Sequence, residues 1–255
     1  MNRRMDKNPH AVPAHDDRPL PRLILLHGTR LSGAQWVCVA QALKDLVEVV
    51  SPDMPGHGRR HGEAFSLEKV VGEVDALVDE AGSRPVVLAG YSLGGYAALC
   101  YAERHPQKLA GLALIASAAE PLGLGAWLYR LMGAWWDWMS ASGINWVERF
   151  YLAPLMERQT LAALAERGGN FCGVRAAWED VMAHCRARQL LGVGCPVLIT
   201  GGGLDQLHIH ARRFAGAAAH AQVVTIPFRN HLWPLTHPDE LVAVLRTWLK
   251  EVVLP

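Results

Sequence analysis

The stretch VVLAGYSLGGYAAL, residues 86–99, constrains the fold more than any other part of the sequence. An apolar run typical of a buried strand passes within two or three residues into an Ala/Leu-rich pattern that predicts a helix. The chain must therefore reverse sharply, with Ser92 at the apex. Such a turn brings backbone segments close together, and Gly90, Gly94 and Gly95 supply the room because they carry no side chain.

Six short apolar runs recur along the chain, each with the composition of a buried strand. Helical patterns separate most of them, and continuous rather than alternating apolar runs are typical of parallel strands covered on both faces. We therefore expect an α/β fold with a mainly parallel sheet of about six strands and helices on both faces. The predicted strands cover residues 22–27, 47–52, 84–90, 109–117, 195–201 and 221–227. The predicted helices of this alternating pattern cover residues 33–46, 66–81, 93–105, 208–219 and 238–252.

The segment 118–191 interrupts this alternation. It has a helical pattern, lacks a strand-like run and holds six of the nine tryptophans. We expect an inserted helical lid there, above a core formed by residues 22–117 and 192–255. Residues 1–21 are rich in proline, histidine and charge, which predicts a disordered tail.

The composition argues against several classes of protein. The formal charge is +1 and no basic stripe is visible, so nucleic-acid binding is not expected. The five cysteines are widely spaced without a CxxC pair, which favours buried free thiols over a zinc site or a disulfide framework. The N-terminus lacks the apolar core of a signal peptide, so we expect a cytoplasmic location. The longest apolar stretch, residues 122–139, contains Arg130 and Asp137, and we interpret it as part of the lid rather than as a membrane segment.

Two polar residues follow the later predicted strands. Asp205 comes just after the strand at 195–201, and His231 comes just after the strand at 221–227. Because the carboxyl ends of parallel strands share one edge of the sheet, we expect both side chains to meet Ser92. A serine hydroxyl needs a base to take its proton, and the base needs an acid to hold its tautomer. The pattern predicts Ser92 as nucleophile, His231 as base and Asp205 as acid.

These elements resemble the α/β-hydrolase superfamily over residues 22–249, in its serine-nucleophile, carboxylesterase-like branch with a helical lid. GYSLGG (90–95) is similar to the nucleophile elbow, and LLHGTR (25–30) is similar to the loop that opens the oxyanion hole. The resemblance implies that the backbone N–H groups of Thr29 and Leu93 form that hole.

Several residues near these motifs keep an alternative interpretation. Asp205 has the position of a helix N-cap, in which case Glu120 is the substitute acid. His27 and Gly28 are interpreted as structural residues that let the loop turn beside Ser92. His57 is interpreted as a histidine that packs within its own loop rather than as a ligand.

Substrate-binding side chains are expected from Arg30 and from the lid. Arg30 either holds a substrate carboxylate or forms a surface ion pair. Aromatic walls bury a large area with few degrees of freedom, so we expect the lid to bind an apolar acyl or aromatic group. The candidate residues of the lid are Trp127, Trp135, Trp136 and Trp178.

Together, the residues and the resemblance predict a serine hydrolase that cleaves a carboxylic ester, or a related acyl bond, of an apolar small molecule through an acyl-enzyme. A lactonase, a carbon–carbon bond hydrolase and a cofactor-free haloperoxidase or perhydrolase would use the same three residues. A ligand-binding or signalling protein with low turnover is the alternative outside the enzymes. No metal or organic cofactor is expected. The sequence is compatible with a homodimer and does not specify the oligomeric state.

Overall fold

The sheet has six strands, as the sequence predicted. The computed structural model of the protein describes residues 19–120, 153–167 and 174–253, and seven further positions: Trp127, Arg130, Leu131, Gly133, Ala134, Trp135 and Trp138. The strands are β1 (Arg22–Leu26), β2 (Glu48–Val50), β3 (Val86–Tyr91), β4 (Gly111–Ile115), β5 (Val197–Gly202) and β6 (Ala221–Ile226). Their order in the sheet is β2-β1-β3-β4-β5-β6, and every neighbouring pair is parallel.

Helices connect the strands and cover the sheet. The α-helices are α1 (Val37–Leu43), α2 (Leu67–Asp79), α3 (Leu93–Arg104), α4 (Arg158–Arg167), α5 (Val174–His184), α6 (Ala211–Ala217), α7 (Trp233–Thr236) and α8 (Pro238–Trp248). Short 3₁₀ turns cover Gly33–Trp36, Gly58–Arg60, Ala153–Leu155 and Ala187–Leu190, and a π-helical turn covers Leu249–Val253.

The alternating sides of each strand create two apolar layers, because successive side chains point to opposite faces of a sheet. Ile24 and Leu26 of β1 face one layer, which α2, α3, α5 and α6 complete. Leu23 and Leu25 face the other layer, where Trp248 of α8 lies fully inside. All residues of β1, β3, β4 and β5 are buried, which explains the unbroken apolar runs of the sequence.

The two edges of the described sheet differ from the expectation of buried strands. β2 has only three residues, and all three are partly exposed. β6 pairs with β5 on one side, and all six of its residues are exposed or partly exposed. Apolar composition therefore predicted both strands, but not their position at the edges.

Helix boundaries deviate from the predictions where turns intervene. The helix expected from residue 33 begins with the 3₁₀ turn Gly33–Trp36. The helix expected from residue 208 begins at Ala211, because the N–H of His208 donates to the carbonyl oxygen of Asp205 at 3.0 Å and forms a separate turn. The start of α2 matches the prediction, since Ser66 Oγ accepts a hydrogen bond from the N–H of Lys69 at 3.2 Å.

The described part of the predicted lid consists of helices that contact the core. Asp180 of α5 accepts a hydrogen bond from the N–H of Leu67, the first residue of α2, at 2.7 Å. Arg167, the last residue of α4, forms an ion pair of 3.1 Å with Asp53, whose side chain is buried. The division into tail, core and lid stays a prediction, because residues 1–18 and most of 121–152 lie outside the described residues. Within the described ranges, no helix has the length and apolar character needed to cross a membrane.

Candidate active site

Ser92 occupies the sharp turn between β3 and α3. Its backbone has φ 53° and ψ −116°, a conformation that costs a non-glycine residue about 1–3 kcal/mol. A hydrogen bond to β4 supports the turn, since the N–H of Ser92 donates to the carbonyl oxygen of Ile115 at 2.9 Å. A Cβ atom at Gly94 would lie 2.4 Å from the carbonyl oxygen of Leu26, and one at Gly90 would lie 2.2 Å from the carbonyl oxygen of Gly94. The backbone thus approaches so closely that these positions require glycine.

Ser92, His231 and Asp205 lie in one hydrogen-bonded row. His231 Nε2 is 3.1 Å from Ser92 Oγ, and His231 Nδ1 is 3.0 Å from Asp205 Oδ1. A carboxylate only accepts, so Nδ1 carries the proton and donates, and Nε2 is left to accept the serine proton. The Asp205 side chain is fully buried, whereas His231 retains 19% exposure. The row therefore has a desolvated negative charge at one end and an accessible hydroxyl at the other.

Tyr91 is a component of the site that the sequence analysis missed. Its hydroxyl donates to the carbonyl oxygen of His231 at 3.0 Å, and the two rings stack with centroids 5.2 Å apart. Tyr91 is itself buried, so it fixes both the loop and the ring plane of His231. An aromatic residue directly before Ser92 was the signal in the sequence, but nothing there indicated its partner.

The loop after β1 approaches this turn from the side. A Cβ atom at Gly28 would lie 2.7 Å from the ring of Tyr91, and the N–H of Gly28 donates to Gln35 Oε1 at 3.0 Å. The N–H groups of Thr29 and Leu93, the predicted oxyanion donors, have no acceptor in the part of the chain that the structure describes. Leu93 is the first residue of α3, where the helix dipole favours negative charge.

His27 and His57 form a buried pair beneath that loop. His27 Nε2 accepts from the N–H of Met54 at 2.9 Å, so Nδ1 carries the proton and donates to the carbonyl oxygen of Gly28. The two imidazole rings lie 4.8 Å apart, edge to face. Burial lowers the pKa of His27 to about 4, and burial together with His27 lowers the pKa of His57 to about 3. Both hydrogen bonds of His27 are with backbone groups, as its structural interpretation requires.

We expect this histidine pair to make folding stability sensitive to acid. Between pH 6.5, the ordinary pKa of histidine, and pH 4, the unfolded chain binds more protons than the folded chain, so stability falls as the pH falls. Between pH 7 and pH 5, each histidine should lower the free energy of unfolding by about 2 kcal/mol, measured by urea denaturation. His57→Gln should show a smaller loss across the same interval. Equal stability of the wild type at both pH values would contradict the prediction.

Glu120, the alternative acid, is engaged elsewhere. Its side chain is buried, Oε1 accepts from the N–H of Ala187 at 2.9 Å, and Oε2 forms an ion pair with Arg213 at 2.9 Å. The helix N-cap interpretation of Asp205 is wrong, because α6 begins only at Ala211 and has His210 at its N-cap. Among the described residues, no group of three His, Cys, Asp or Glu side chains is arranged for a metal ion.

The candidate substrate-binding residues differ in their distance from the predicted oxyanion loop and in their exposure. Trp178 of α5 donates from Nε1 to Thr29 Oγ1 at 3.2 Å, which puts this lid residue against the predicted oxyanion loop. Trp127 and Trp135 are 52% and 48% exposed. Arg30 lies in the same loop as Thr29 with φ 64°. Trp136 lies outside the described residues, and a substrate-binding role for these residues stays a prediction.

Comparison with known proteins shows the family of this chain and several similar proteins. Residues 23–244 match the model of the alpha/beta hydrolase family. A pimeloyl-[acyl-carrier protein] methyl ester esterase of Chromobacterium violaceum is 29% identical over 90% of this chain and 94% of its own length. An enzyme of the same name from Neisseria meningitidis is 27% identical over 91% of this chain and 78% of its own length. The structure of a thermophilic esterase from Thermogutta terrifontis has a TM-score of 0.73 at 24% identity, covering 92% of this chain and 91% of that one, and this likeness concerns the fold.

Proposed function

This chain belongs to the alpha/beta hydrolase family and is a carboxylesterase-like hydrolase, and from that premise we propose that Ser92, His231 and Asp205 are its catalytic residues. The observation that carries the proposal is the row of two hydrogen bonds, 3.1 and 3.0 Å long, that ends on a strained serine. Glu120, the alternative acid, is paired with Arg213 instead of His231.

Acylation begins when Ser92 Oγ attacks the ester carbonyl carbon. His231 Nε2 takes the serine proton as the bond forms, and the buried carboxylate of Asp205 stabilises the imidazolium. The negative charge that develops on the carbonyl oxygen is met by the N–H groups of Thr29 and Leu93, which have no acceptor among the described residues. The tetrahedral intermediate then collapses, and His231 protonates the leaving alcohol.

Deacylation uses the same groups in reverse order. A water molecule replaces the alcohol, and His231 Nε2 takes its proton while the oxygen attacks the acyl carbon. The same two N–H groups hold the second oxyanion, and Ser92 leaves with the proton returned by His231. The products are a free carboxylic acid and the regenerated hydroxyl of Ser92.

For the substrate, we propose a small alkyl ester of an apolar acyl chain that lies against the lid. Trp178 supports this, because its indole contacts the loop that holds the oxyanion donor Thr29. Two relatives that match most of the chain, from Chromobacterium violaceum and Neisseria meningitidis, carry the name pimeloyl-[acyl-carrier protein] methyl ester esterase, so a methyl ester with its acyl chain on a carrier is the specific candidate. A cytoplasmic location is part of this proposal.

A chain-length series tests the reaction class and the acyl pocket together. We would measure turnover of p-nitrophenyl esters from acetate to palmitate, and then of the methyl esters of the preferred acids. The expected result is multiple turnover with a preference for one range of chain length. Stoichiometric labelling of Ser92 by a fluorophosphonate without turnover of any ester would contradict the proposal and favour the binding protein. Activity that requires hydrogen peroxide would contradict it in favour of a perhydrolase.

The hydrogen bond between Trp178 and Thr29 is expected to position the oxyanion loop. Trp178→Phe keeps an aromatic ring but removes the donor, and Thr29→Val keeps the backbone N–H but removes the acceptor. Each should lower kcat/KM for the preferred ester about 5- to 10-fold, the value of one hydrogen bond. The double variant should be no worse than either single one, because both remove the same contact. Additive losses would contradict this role.

A further inference from the structure

Two buried thiols meet at the junction of the core and the predicted lid. Cys100 Sγ and Cys185 Sγ are 3.6 Å apart, although 85 positions separate them in the chain. Cys100 lies on α3, the helix that begins directly after Ser92, and is 5% exposed. Cys185 directly follows α5 and is fully buried.

The surroundings of the pair make its two thiols unequal. Cys185 has acceptors in Cys100 Sγ and in the carbonyl oxygen of Tyr96, at 3.9 Å. Gln189 donates from Nε2 to Cys100 Sγ at 3.8 Å. These donors lower the pKa of the Cys100 thiol, whereas the contact with Cys100 and burial raise the pKa of the Cys185 thiol. Cys100 is therefore the sulfur that more readily carries negative charge, and the thiolate is the nucleophile of cysteine chemistry.

Cys100 also lies close to the surface through one contact. Gln189, which donates to Cys100 Sγ, donates from the same nitrogen to the carboxylate of Glu103, a residue exposed to solvent. Cys100 is thus separated from a solvent-exposed carboxylate by one side chain, whereas Cys185 is fully buried. The arrangement has one thiol placed to react first and a second thiol placed to resolve the product.

We propose that Cys100 and Cys185 are a redox modification site, at which a small hydroperoxide converts the two thiols into a disulfide between α3 and the end of α5. The Cys100 thiolate attacks the terminal peroxide oxygen, the O–O bond breaks, and the other oxygen leaves as an alcohol or as water after protonation. The resulting sulfenic acid is attacked by Cys185, whose proton goes to the departing hydroxide to give water. The two thiols lose two electrons, and the hydroperoxide gains them.

The geometry requires little movement for this step. The two sulfur atoms must approach from 3.6 Å to about 2.0 Å, the length of a disulfide bond. The new bond would close a loop from residue 100 to residue 185, which contains β4, α4, α5 and most of the predicted lid. Cross-linking a loop of this length restricts the unfolded chain, so the oxidised protein should melt about 5–10 °C higher than the reduced protein.

Mass spectrometry of the full chain tests the proposal directly. The reduced protein is treated with a modest excess of hydrogen peroxide, quenched, and alkylated under denaturing conditions. The expected product is lighter by two hydrogen atoms, leaves three of the five cysteines alkylated, and yields a cross-linked peptide that joins Cys100 to Cys185. Reduction with dithiothreitol should restore five alkylated cysteines and the lower melting temperature.

Two variants separate this pair from the other cysteines. Cys38, which is partly exposed, serves as the matched control, and Cys38→Ser should leave the cross-link unchanged. Cys185→Ser should stop the reaction at a sulfenic acid on Cys100 that dimedone captures. The proposal is overturned if both thiols of the wild type stay alkylatable, or if the cross-link joins other cysteines. These readouts do not involve ester hydrolysis, so they are independent of the proposed function.

Discussion

Replacing Ser92 with alanine is expected to lower kcat/KM for the preferred ester by a factor of about 10⁴ or more, because it removes the only atom that can form the acyl-enzyme in the proposed mechanism. The substitution deletes one oxygen atom from a side chain that is 9% exposed and leaves the glycines of the turn in place. Melting temperature should therefore be kept or raised, since alanine does not alter the backbone contacts of the turn. The measurement is initial rate against ester concentration, paired with thermal unfolding.

Ser66→Ala is the matched control for this result. Ser66 caps α2 by accepting a hydrogen bond from the N–H of Lys69, and it has no role in the proposed mechanism. Its loss should cost about 1 kcal/mol of stability and leave kcat/KM nearly unchanged. The proposed role of Ser92 is refuted if Ser92→Ala retains activity within tenfold of the wild type.

Asp205→Asn is expected to lower kcat on the order of 10⁴-fold while the fold persists. Asp205 Oδ1 faces His231 Nδ1 and also accepts from the N–H of Leu207 at 2.8 Å. With the asparagine oxygen in that place, the negative charge that stabilises the imidazolium is lost; with the NH₂ group there, His231 Nδ1 accepts and the proton moves to Nε2. Nε2 would face Ser92 Oγ, at 3.1 Å in the wild type, as a donor and could not take the serine proton. Activity should be measured across the pH range, because the loss should lessen at high pH, where the serine hydroxyl ionises more readily.

Glu120→Gln distinguishes the two candidate acids. Glutamine keeps the acceptor for the N–H of Ala187 and removes only the charge that faces Arg213. Since Glu120 does not touch His231, kcat should stay within about threefold of the wild type, and the cost should appear as about 1 kcal/mol of stability. The opposite pattern, a large loss in Glu120→Gln and a small one in Asp205→Asn, would assign the acid to Glu120.

The central strands were predictable because buried strands are rich in apolar residues. A strand covered on both faces carries few polar side chains, so β1, β3, β4 and β5 are mainly apolar, with Arg22 and Thr200 as the buried polar exceptions. The edges were not predictable in the same way. β6 has a similar run, AQVVTI, yet all six of its residues are exposed or partly exposed, because its exposure depends on whether another strand lies beside it.

The candidate site also has a part that local sequence patterns predict and a part that only distant contacts create. The turn at Ser92 was visible because its glycines are local requirements, and Asp205 and His231 were visible because each follows a strand of one parallel sheet. The stack of Tyr91 on His231 joins residues 140 positions apart, and the contact of Trp178 with Thr29 joins residues 149 positions apart. Neither leaves a local pattern, since aromatic residues satisfy many kinds of core equally well.

Local chemistry in the chain was thus sufficient to predict the layered α/β architecture and to propose the order nucleophile, acid, base. Strained turns need glycine, buried strands need apolar residues, and both needs are met within a few neighbouring positions. Packing in three dimensions was needed to pair Glu120 with Arg213, to place the edge strands and to bring Cys100 to within 3.6 Å of Cys185. These contacts depend on the distances between elements far apart in the chain, which side-chain identity and spacing do not specify.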